Sequence, residues 1–301
     1  MPQLVHEFAI DPEAIESWRD LKDLDGTFEW KQGRLISEFP SDWAVSVFNR
    51  LRTNTVEDSR IEHFLKLLRS RCVRFGRPKT ITDASWFSEC LKEHAKSPFR
   101  AIISRSRENQ PDFVLDISKL DSETPHWKVE TSAAIPRNAE KIAEVFSKLL
   151  KYSPSLYLID PFFDPTKPKF RRPFQAICRA TFNDRQTQPK NVFYHLKKER
   201  DVNDFETDCF RELPYLVPKG IHVTFYLWSE RLGGQSFHDR FICFKYGTAN
   251  FGHGLDDNPN AEDRVNVTLM DKEAHRLRFI EMDPAQSPFE FVHKFTVEGK
   301  R

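Results

Sequence analysis

Two side chains that could act together on a phosphate, His238 and Arg240, lie two residues apart. They follow the glycine pair Gly233-Gly234 and lead into residues 241–244, an apolar run typical of a buried strand. On a strand, side chains two residues apart leave from the same face. An imidazole that can act as nucleophile, acid or base would then stand beside a permanent cation with five N–H donors. This arrangement suits chemistry on a phosphate group.

A second strand-like segment, residues 250–257, ends in a glycine-containing turn with a carboxylate at Asp256. The turn contains Gly252, His253 and Gly254. If the two segments lie side by side, a histidine, an arginine and an aspartate come together at one edge of a sheet. The alternative is that the turn is only a solvated loop.

A further carboxylate, Asp160, ends the apolar run 155–159, at a point where a parallel sheet exposes side chains to ligand. A basic run follows at residues 167–172 and includes Arg171 and Arg172. Runs of this kind are commonly solvated surface, but this one adjoins the proposed site and could contact phosphate.

The elements that must position these residues alternate between helix and strand from residue 137 onward. Helices are predicted at residues 137–150, 173–182, 203–213 and 271–281, and strands at residues 155–159, 191–196, 221–227, 238–244 and 265–269. This alternation predicts an α/β fold that binds ligands at the carboxyl ends of its parallel strands. We place this second domain at residues 131–301.

The first domain, residues 1–130, is predicted to be a smaller mixed α+β domain, and its sequence indicates no role. Short strands are indicated at residues 28–30 and 34–40, around Gln32-Gly33. Residues 61–68 carry apolar side chains at helical spacing.

The bulk composition favours a globular protein without a strongly charged surface. The 301 residues carry a formal net charge of +1, so contact with nucleic acid would need local basic patches. The five cysteines are scattered without a C-x-x-C pair, which argues against structural zinc and for a reducing compartment. The N-terminal residues do not resemble a signal peptide, and no apolar run approaches the ~20 residues that span a bilayer. We expect a cytoplasmic protein with no metal site and no membrane contact.

Several of these pieces, taken in order, resemble the phospholipase D superfamily, whose core motif is His-x-Lys. More narrowly, residues from about 137 to about 293 resemble a group of bacterial phospholipase D-like proteins associated with defence-type gene neighbourhoods. The segments that carry the resemblance are IDPFFDP at residues 159–165, RRP at 171–173, the HDRF-containing stretch 233–241, and FGHGLD at 251–256.

The resemblance implies an α/β/α sandwich and a metal-independent phosphodiesterase, most simply a nuclease that acts on DNA or RNA in an anti-phage setting. In the family mechanism a histidine attacks phosphorus, a paired cation neutralises the phosphoryl oxygens, and no metal or other cofactor takes part. His238 would be the nucleophile or acid, Arg240 the phosphate clamp, and Asp256 the group that orients a histidine. The residues expected to contact substrate are Asp160, Arg171, Arg172, Gly252, His253 and Gly254.

Three departures from the superfamily pattern leave a second function open. Arginine replaces the lysine of His-x-Lys, Lys245 stands where the superfamily has an aspartate, and residues 252–255 replace a Gly-Ser-x-Asn segment. The alternative function is a degenerate module that binds nucleic acid or phosphate without turnover, within a multi-protein defence complex.

A single His-x-Arg motif per chain has a structural consequence. A site with two histidines would need two chains, which predicts a homodimer. A degenerate first repeat at His126-Trp127-Lys128 is the alternative source of a second histidine. A further hypothesis is that the first domain recruits a partner ATPase or helicase.

Overall fold

The computed structural model describes residues 3–78, 85–105, 110–182, 190–252, 254–260 and 262–301. Within these ranges the chain forms thirteen strands and nine α-helices. It divides into two compact units, an N-terminal unit of residues 4–131 and a C-terminal unit of residues 132–301 with Gln3. Both units combine helices with a sheet, so the fold class is α/β. In the described part of the chain, no helix is both long and apolar enough to cross a membrane.

The N-terminal unit is built on a five-stranded sheet in which every neighbouring pair of strands is parallel. Its strands are β1 (His6–Ile10), β2 (Arg34–Ser37), β3 (Cys72–Val73), β4 (Ala101–Ser104) and β5 (Val114–Asp116). Its helices are α1 (Trp18–Thr27), α2 (Trp43–Leu51), α3 (Glu57–Arg69) and α4 (Trp86–Lys96). The strand order is β3-β2-β1-β4-β5.

The prediction of an α+β arrangement for this unit is wrong. Parallel neighbours need long crossover connections, and helices α1 to α4 occupy the connections from β1 to β4. Of the two short strands predicted around Gly33, the second is present as β2, and the first is absent. Trp30–Gln32 forms a turn of 3-10 helix, and Gly33 ends it in the left-handed region at a φ of +68°.

Trp127, the middle residue of the His126-Trp127-Lys128 segment, is a core residue of this unit. Its ring lies 5.4 Å from that of Phe8 and 5.5 Å from that of Phe28, both edge to face. His126 has a φ of +63°, and residues 126–131 form no strand. No strand therefore carries His126 and Lys128.

The C-terminal unit is built on an eight-stranded mixed sheet of order β13-β9-β8-β7-β10-β11-β12-β6. Its strands are β6 (Ser132–Pro136), β7 (Ser155–Ile159), β8 (Lys190–Lys197), β9 (Ile221–Ser229), β10 (Phe241–Phe244), β11 (Gly247–Phe251), β12 (Arg264–Leu269) and β13 (Glu290–Glu298). Its helices are α5 (Ala139–Glu144), α6 (Ser147–Tyr152), α7 (Pro168–Thr181), α8 (Val202–Glu212) and α9 (Lys272–Met282). β7, β8 and β9 are parallel, and the other neighbouring pairs are antiparallel.

Helices pack on both faces of this sheet. α7 reaches one face through Phe174, whose ring lies 6.1 Å from that of Tyr194 on β8. α9 reaches the other face through Phe279, whose ring lies 5.0 Å from that of Tyr157 on β7. Tyr194 pairs in register with Leu158, and successive residues of a strand point to opposite faces. The sheet is thus a middle layer between helices.

Three predicted elements of this unit have different bounds in the structure. The helix predicted at residues 137–150 is two short helices, α5 and α6, which meet at Val145-Phe146. α7 begins at Pro168, five residues before the predicted start, because proline is well tolerated in a first helical turn. β10 begins only at Phe241, so the predicted strand at residues 238–244 is too long at its start.

Candidate functional site

Strand pairing gathers segments that are far apart in sequence at one edge of the C-terminal sheet. β10 is antiparallel to β7, so its first residue, Phe241, pairs with Ile159, the last residue of β7. Phe241 also pairs with Asn250, near the end of β11. Farther along, Arg264 at the start of β12 pairs with Pro136 at the end of β6. We call this the site edge; the carboxyl ends of the parallel strands β8 and β9 share it.

His238 and Arg240 lie in the coil before β10, and not on a strand as predicted. They nevertheless meet at one side chain, that of Phe162, which follows β7. The exposed imidazole of His238 stacks on the Phe162 ring with centroids 5.7 Å apart and planes at 25°. The Cζ of Arg240 lies 4.5 Å from the centroid of the same ring. The sequence assigned no role to Phe162, although its place in the IDPFFDP segment directly after a buried strand was a signal.

Asp160 directly follows β7 and is buried, with 1% of its surface exposed. Its Oδ1 accepts a hydrogen bond from the Phe162 backbone N–H at 3.2 Å and lies 3.9 Å from Nε of Arg240. That Nε is buried and makes no hydrogen bond to a described residue. Burial raises the pKa of Asp160 to about 6, although the Phe162 N–H and the charge on Arg240 act in the opposite direction. The structure thus brings two of the predicted site residues, Asp160 and Arg240, together.

Replacing Asp160 with asparagine is expected to stabilise the protein at about pH 7.5. Folding raises the pKa of this carboxyl from 3.8 to about 6, so its ionisation lowers the free energy of unfolding progressively between about pH 4 and pH 6. An amide avoids that loss, which is about 3 kcal/mol at most, and keeps an acceptor for the Phe162 N–H. In urea unfolding, the free energy of unfolding of the variant should exceed that of the wild type at about pH 7.5 and equal it at about pH 4. An equal gain at both pH values would contradict this account.

Asp256 contacts cations and, among the described residues, no histidine. It is 7% exposed, and its Oδ1 accepts hydrogen bonds from Nη2 and, at 3.1 Å, from Nε of Arg137. Its Oδ2 lies 3.3 Å from Nζ of Lys169. Arg137 also donates from Nη1 to Oδ2 of Asp263 at 3.1 Å. Burial lowers the pKa of Arg137, but the two carboxylates outweigh it, and the net shift is upward. These contacts anchor the turn after β11. The structure does not place Asp256 against His238, one of the two histidines that it was expected to orient; the other, His253, lies outside the described residues.

Helix α7 holds the same turn through a backbone carbonyl that a proline leaves free. Pro173 has no N–H, so the carbonyl of Lys169, four residues earlier, lacks its helical donor. That oxygen instead accepts a hydrogen bond from the backbone N–H of Asp257 at 2.7 Å. Arg172 adds an ion pair to Asp257, with Nη1 and Oδ2 2.9 Å apart. The RRP segment, predicted as a helix start, therefore lies inside α7 and secures the turn.

The two arginines predicted to contact substrate are both engaged in ion pairs. Arg171 pairs with Glu212 at the end of α8. Arg172 pairs with Asp257, yet 64% of its side chain remains exposed. Their positions on α7 follow from helix packing, and neither contacts His238 or Arg240 among the described residues.

Of the three predicted residues in the turn after β11, His253 lies outside the described residues. Gly254 has a φ of +131°, and a Cβ atom there would lie 3.2 Å from Oδ1 of Asp256 and 3.3 Å from Nε of Arg240. At Gly252 the nearest atom to an added Cβ would be 3.6 Å away, an ordinary contact. Gly254 therefore allows the turn to approach Arg240 closely.

Replacing Gly254 with alanine is expected to cost about 1–3 kcal/mol of stability, because an L-residue is strained at this φ. The added Cβ would also press on the Arg240 guanidinium. Gly252→Ala is the matched control, two residues away in the same turn, and should change stability by less than about 1 kcal/mol. Urea unfolding of both variants measures the difference. Equal losses in the two variants would show that backbone strain at Gly254 is not the cause.

The site edge therefore presents an exposed imidazole, a guanidinium and a buried carboxylate around one phenyl ring. The guanidinium fork can hydrogen-bond two oxygens of a phosphate, and the imidazole can act as nucleophile, acid or base. Within the part of the chain that the structure describes, no group of three or more His, Cys, Asp or Glu side chains is placed to bind a metal ion.

Comparison with known proteins adds little to this geometry. No family model and no curated protein matches the chain. Among solved structures, the chain is similar to TrmBL2, an archaeal chromatin protein whose structure shows a novel mode of DNA binding. The two share 12% identity over 57% of each chain with a TM-score of 0.27, so the matched part is less than two thirds of that protein. A superposition this loose does not define a shared fold.

Proposed function

We propose that residues 132–301 form a phospholipase D-like α/β/α sandwich that hydrolyses phosphodiester bonds in nucleic acid without a metal. The observation that carries the proposal is the contact of both His238 and Arg240 with Phe162, beside the buried Asp160. A nucleophile next to an anion-binding group, at the carboxyl end of a parallel strand, suits phosphoryl transfer. The helices on both faces of the sheet support the proposed fold, and the metal-free route follows from the sequence resemblance.

In the proposed reaction, a lone pair on the His238 imidazole attacks phosphorus, a P–N bond forms, and the bond to the leaving oxygen breaks. Arg240 hydrogen-bonds the non-bridging oxygens and offsets their charge. A second group protonates the leaving oxygen and then accepts a proton from the water that attacks phosphorus and releases the imidazole. Two lower barriers replace one high barrier.

The second group is assigned to a histidine from another copy of the chain, in a homodimer, or to His253. A monomeric mass in solution by light scattering would exclude the first source, because it requires two chains. The anti-phage role rests on the resemblance alone. The cytoplasmic location rests on the sequence composition, and a partner ATPase or helicase is a hypothesis about the first domain.

One observation favours the second candidate function, a module that binds phosphate without turnover. Only 22% of the Arg240 side chain is exposed, and Phe162 covers a face of its guanidinium. An arginine held in this way can bind an anion, but its guanidinium can change position little during a reaction. Binding of oligonucleotides with no cleavage of any of them would favour this module over the nuclease.

The experiment that tests the nuclease is cleavage of single- and double-stranded DNA and RNA by the purified full chain in excess EDTA. We expect one or more of these polymers to be cut, with the activity following the protein peak through size-exclusion chromatography. Activity that separates from the protein, or that EDTA abolishes, would contradict the proposal.

A further inference from the structure

A cavity of about 280 Å³ adjoins the site edge. It lies at the carboxyl ends of β7, β8 and β9, against the first turns of α7 and α8. Its inner wall is apolar and includes Phe163, Leu196 and Leu227, each no more than 4% exposed. Ligands of α/β sheets bind at this end of the strands, and small-molecule sites start at about 300 Å³. The cavity therefore has the size of one small planar group, and a nucleic-acid duplex cannot enter it.

Two side chains belong both to the cavity and to the site. Phe162 lines the cavity and also contacts His238 and Arg240. Lys169 lines it and also reaches Asp256. A ligand group in the cavity would therefore lie one side chain away from a phosphate held by the His238–Arg240 pair.

The outer rim of the cavity is basic. Five cationic side chains line it, against the two carboxylates of Asp164 and Glu199; they are Lys167, Lys169, Lys197, Lys198 and Arg200. Four of these five cations are paired with carboxylates: Lys167 with Asp164, Lys169 with Asp256, Lys197 with Glu199 and Glu230, and Arg200 with Asp208. The exposed Lys198 makes no side-chain contact of this kind with a described residue. An apolar, aromatic interior under a cationic rim matches a base attached to a phosphodiester backbone.

We propose that the cavity receives one unpaired base of the strand whose adjacent phosphate occupies the His238–Arg240 pair, so that the substrate is single-stranded. This inference rests on the proposed function and names its substrate class. In a duplex, bases are stacked and paired, and one can enter a pocket only if it is flipped out. A single strand offers its bases freely, and the cavity wall supplies the aromatic rings of Phe163, Phe170 and Phe205.

The test measures the binding of fluorescein-labelled 12-mers to the His238→Ala protein by fluorescence anisotropy. The 12-mers are DNA and RNA, each as a single strand and as a duplex. An abasic site is moved through the single strand one position at a time. Lys198→Glu is compared with Lys219→Glu, an exposed lysine that precedes β9 at the opposite edge of the sheet. We expect the single strand to bind at least tenfold more tightly than the duplex. One abasic position should weaken binding about 5- to 150-fold, and Lys198→Glu should weaken it where Lys219→Glu does not.

Failure of this inference and failure of the nuclease proposal are distinguishable. Equal affinity for duplex and single strand, or no effect of any abasic position, overturns the cavity proposal even if the wild-type protein cleaves nucleic acid. Abasic and Lys198 effects in a protein that cleaves nothing support the cavity and overturn the nuclease. Absence of binding to every oligonucleotide overturns the cavity proposal, and it overturns both proposals if the wild-type protein also cleaves nothing.

Discussion

Replacing His238 with alanine is expected to lower kcat for nucleic-acid cleavage by roughly 10³-fold or more, because the proposed reaction forms its P–N bond on this imidazole. The imidazole is exposed, and its contact among the described residues is with the Phe162 ring. The variant should therefore unfold within about 0.5 kcal/mol of the wild type. Steady-state cleavage in EDTA and urea unfolding measure the two quantities on the same preparation.

The matched control for this prediction is His222→Ala. His222 lies near the start of β9, at the edge of the sheet opposite the site, and should leave kcat unchanged. Similar activity in the wild type and His238→Ala would remove His238 from the mechanism. Loss of activity in both variants would point to a general effect on the fold.

The second large effect is expected in the N-terminal unit, where Arg77 forms a buried ion network. Its side chain is 1% exposed and donates from Nε to Oε1 and from Nη2 to Oε2 of Glu7, at 3.1 and 2.6 Å. Nη1 donates to Oε1 of Glu93 at 3.1 Å. The guanidinium also lies over the ring of Phe99, 3.8 Å from its centroid. One side chain therefore balances two carboxylates.

Arg77→Ala is expected to cost about 3–5 kcal/mol, because it leaves two buried carboxylates without their cation, and only Glu7 keeps a described hydrogen bond, from the Ser37 hydroxyl. Arg74→Ala is the control from the same segment. Arg74 pairs with Glu38 at 2.7 Å, but 42% of its side chain is exposed, and such a pair contributes up to about 1 kcal/mol. Urea unfolding of the full chain, followed by hydrogen exchange in residues 4–131, measures the loss of stability in each of the two variants. A difference below about 1 kcal/mol between the two variants would show that the network does not stabilise this unit.

The strand–helix alternation of the C-terminal unit could be predicted because its apolar runs are long and separated by polar segments. β7, β8, β9, α8 and α9 lie where the pattern places them. The parallel arrangement of the N-terminal strands could not be predicted in the same way. β3 has two residues and β5 three, so the parallel order of that sheet comes from tertiary packing.

The site was predicted in part. The residue types and spacing of His238 and Arg240, and a carboxylate at the end of β7, were enough to propose a phosphate site. They did not indicate that Phe162 contacts both His238 and Arg240, or that β10 begins only after Arg240. The Arg137–Asp256 hydrogen bonds connect residues 119 positions apart and depend on the pairing of β12 with β6. The role of Pro173, which frees a carbonyl for the turn after β11, likewise depends on long-range packing.

The central claim, that His238 attacks phosphorus, is tested most directly by trapping the covalent intermediate. A ³²P-labelled single-stranded oligonucleotide is mixed with the wild-type protein in EDTA, quenched with base within milliseconds, and the protein is digested and mapped. The account predicts acid-labile label on the peptide that contains His238, and none in His238→Gln. Undiminished cleavage by His238→Gln, with label absent from that peptide in the wild type, would contradict it.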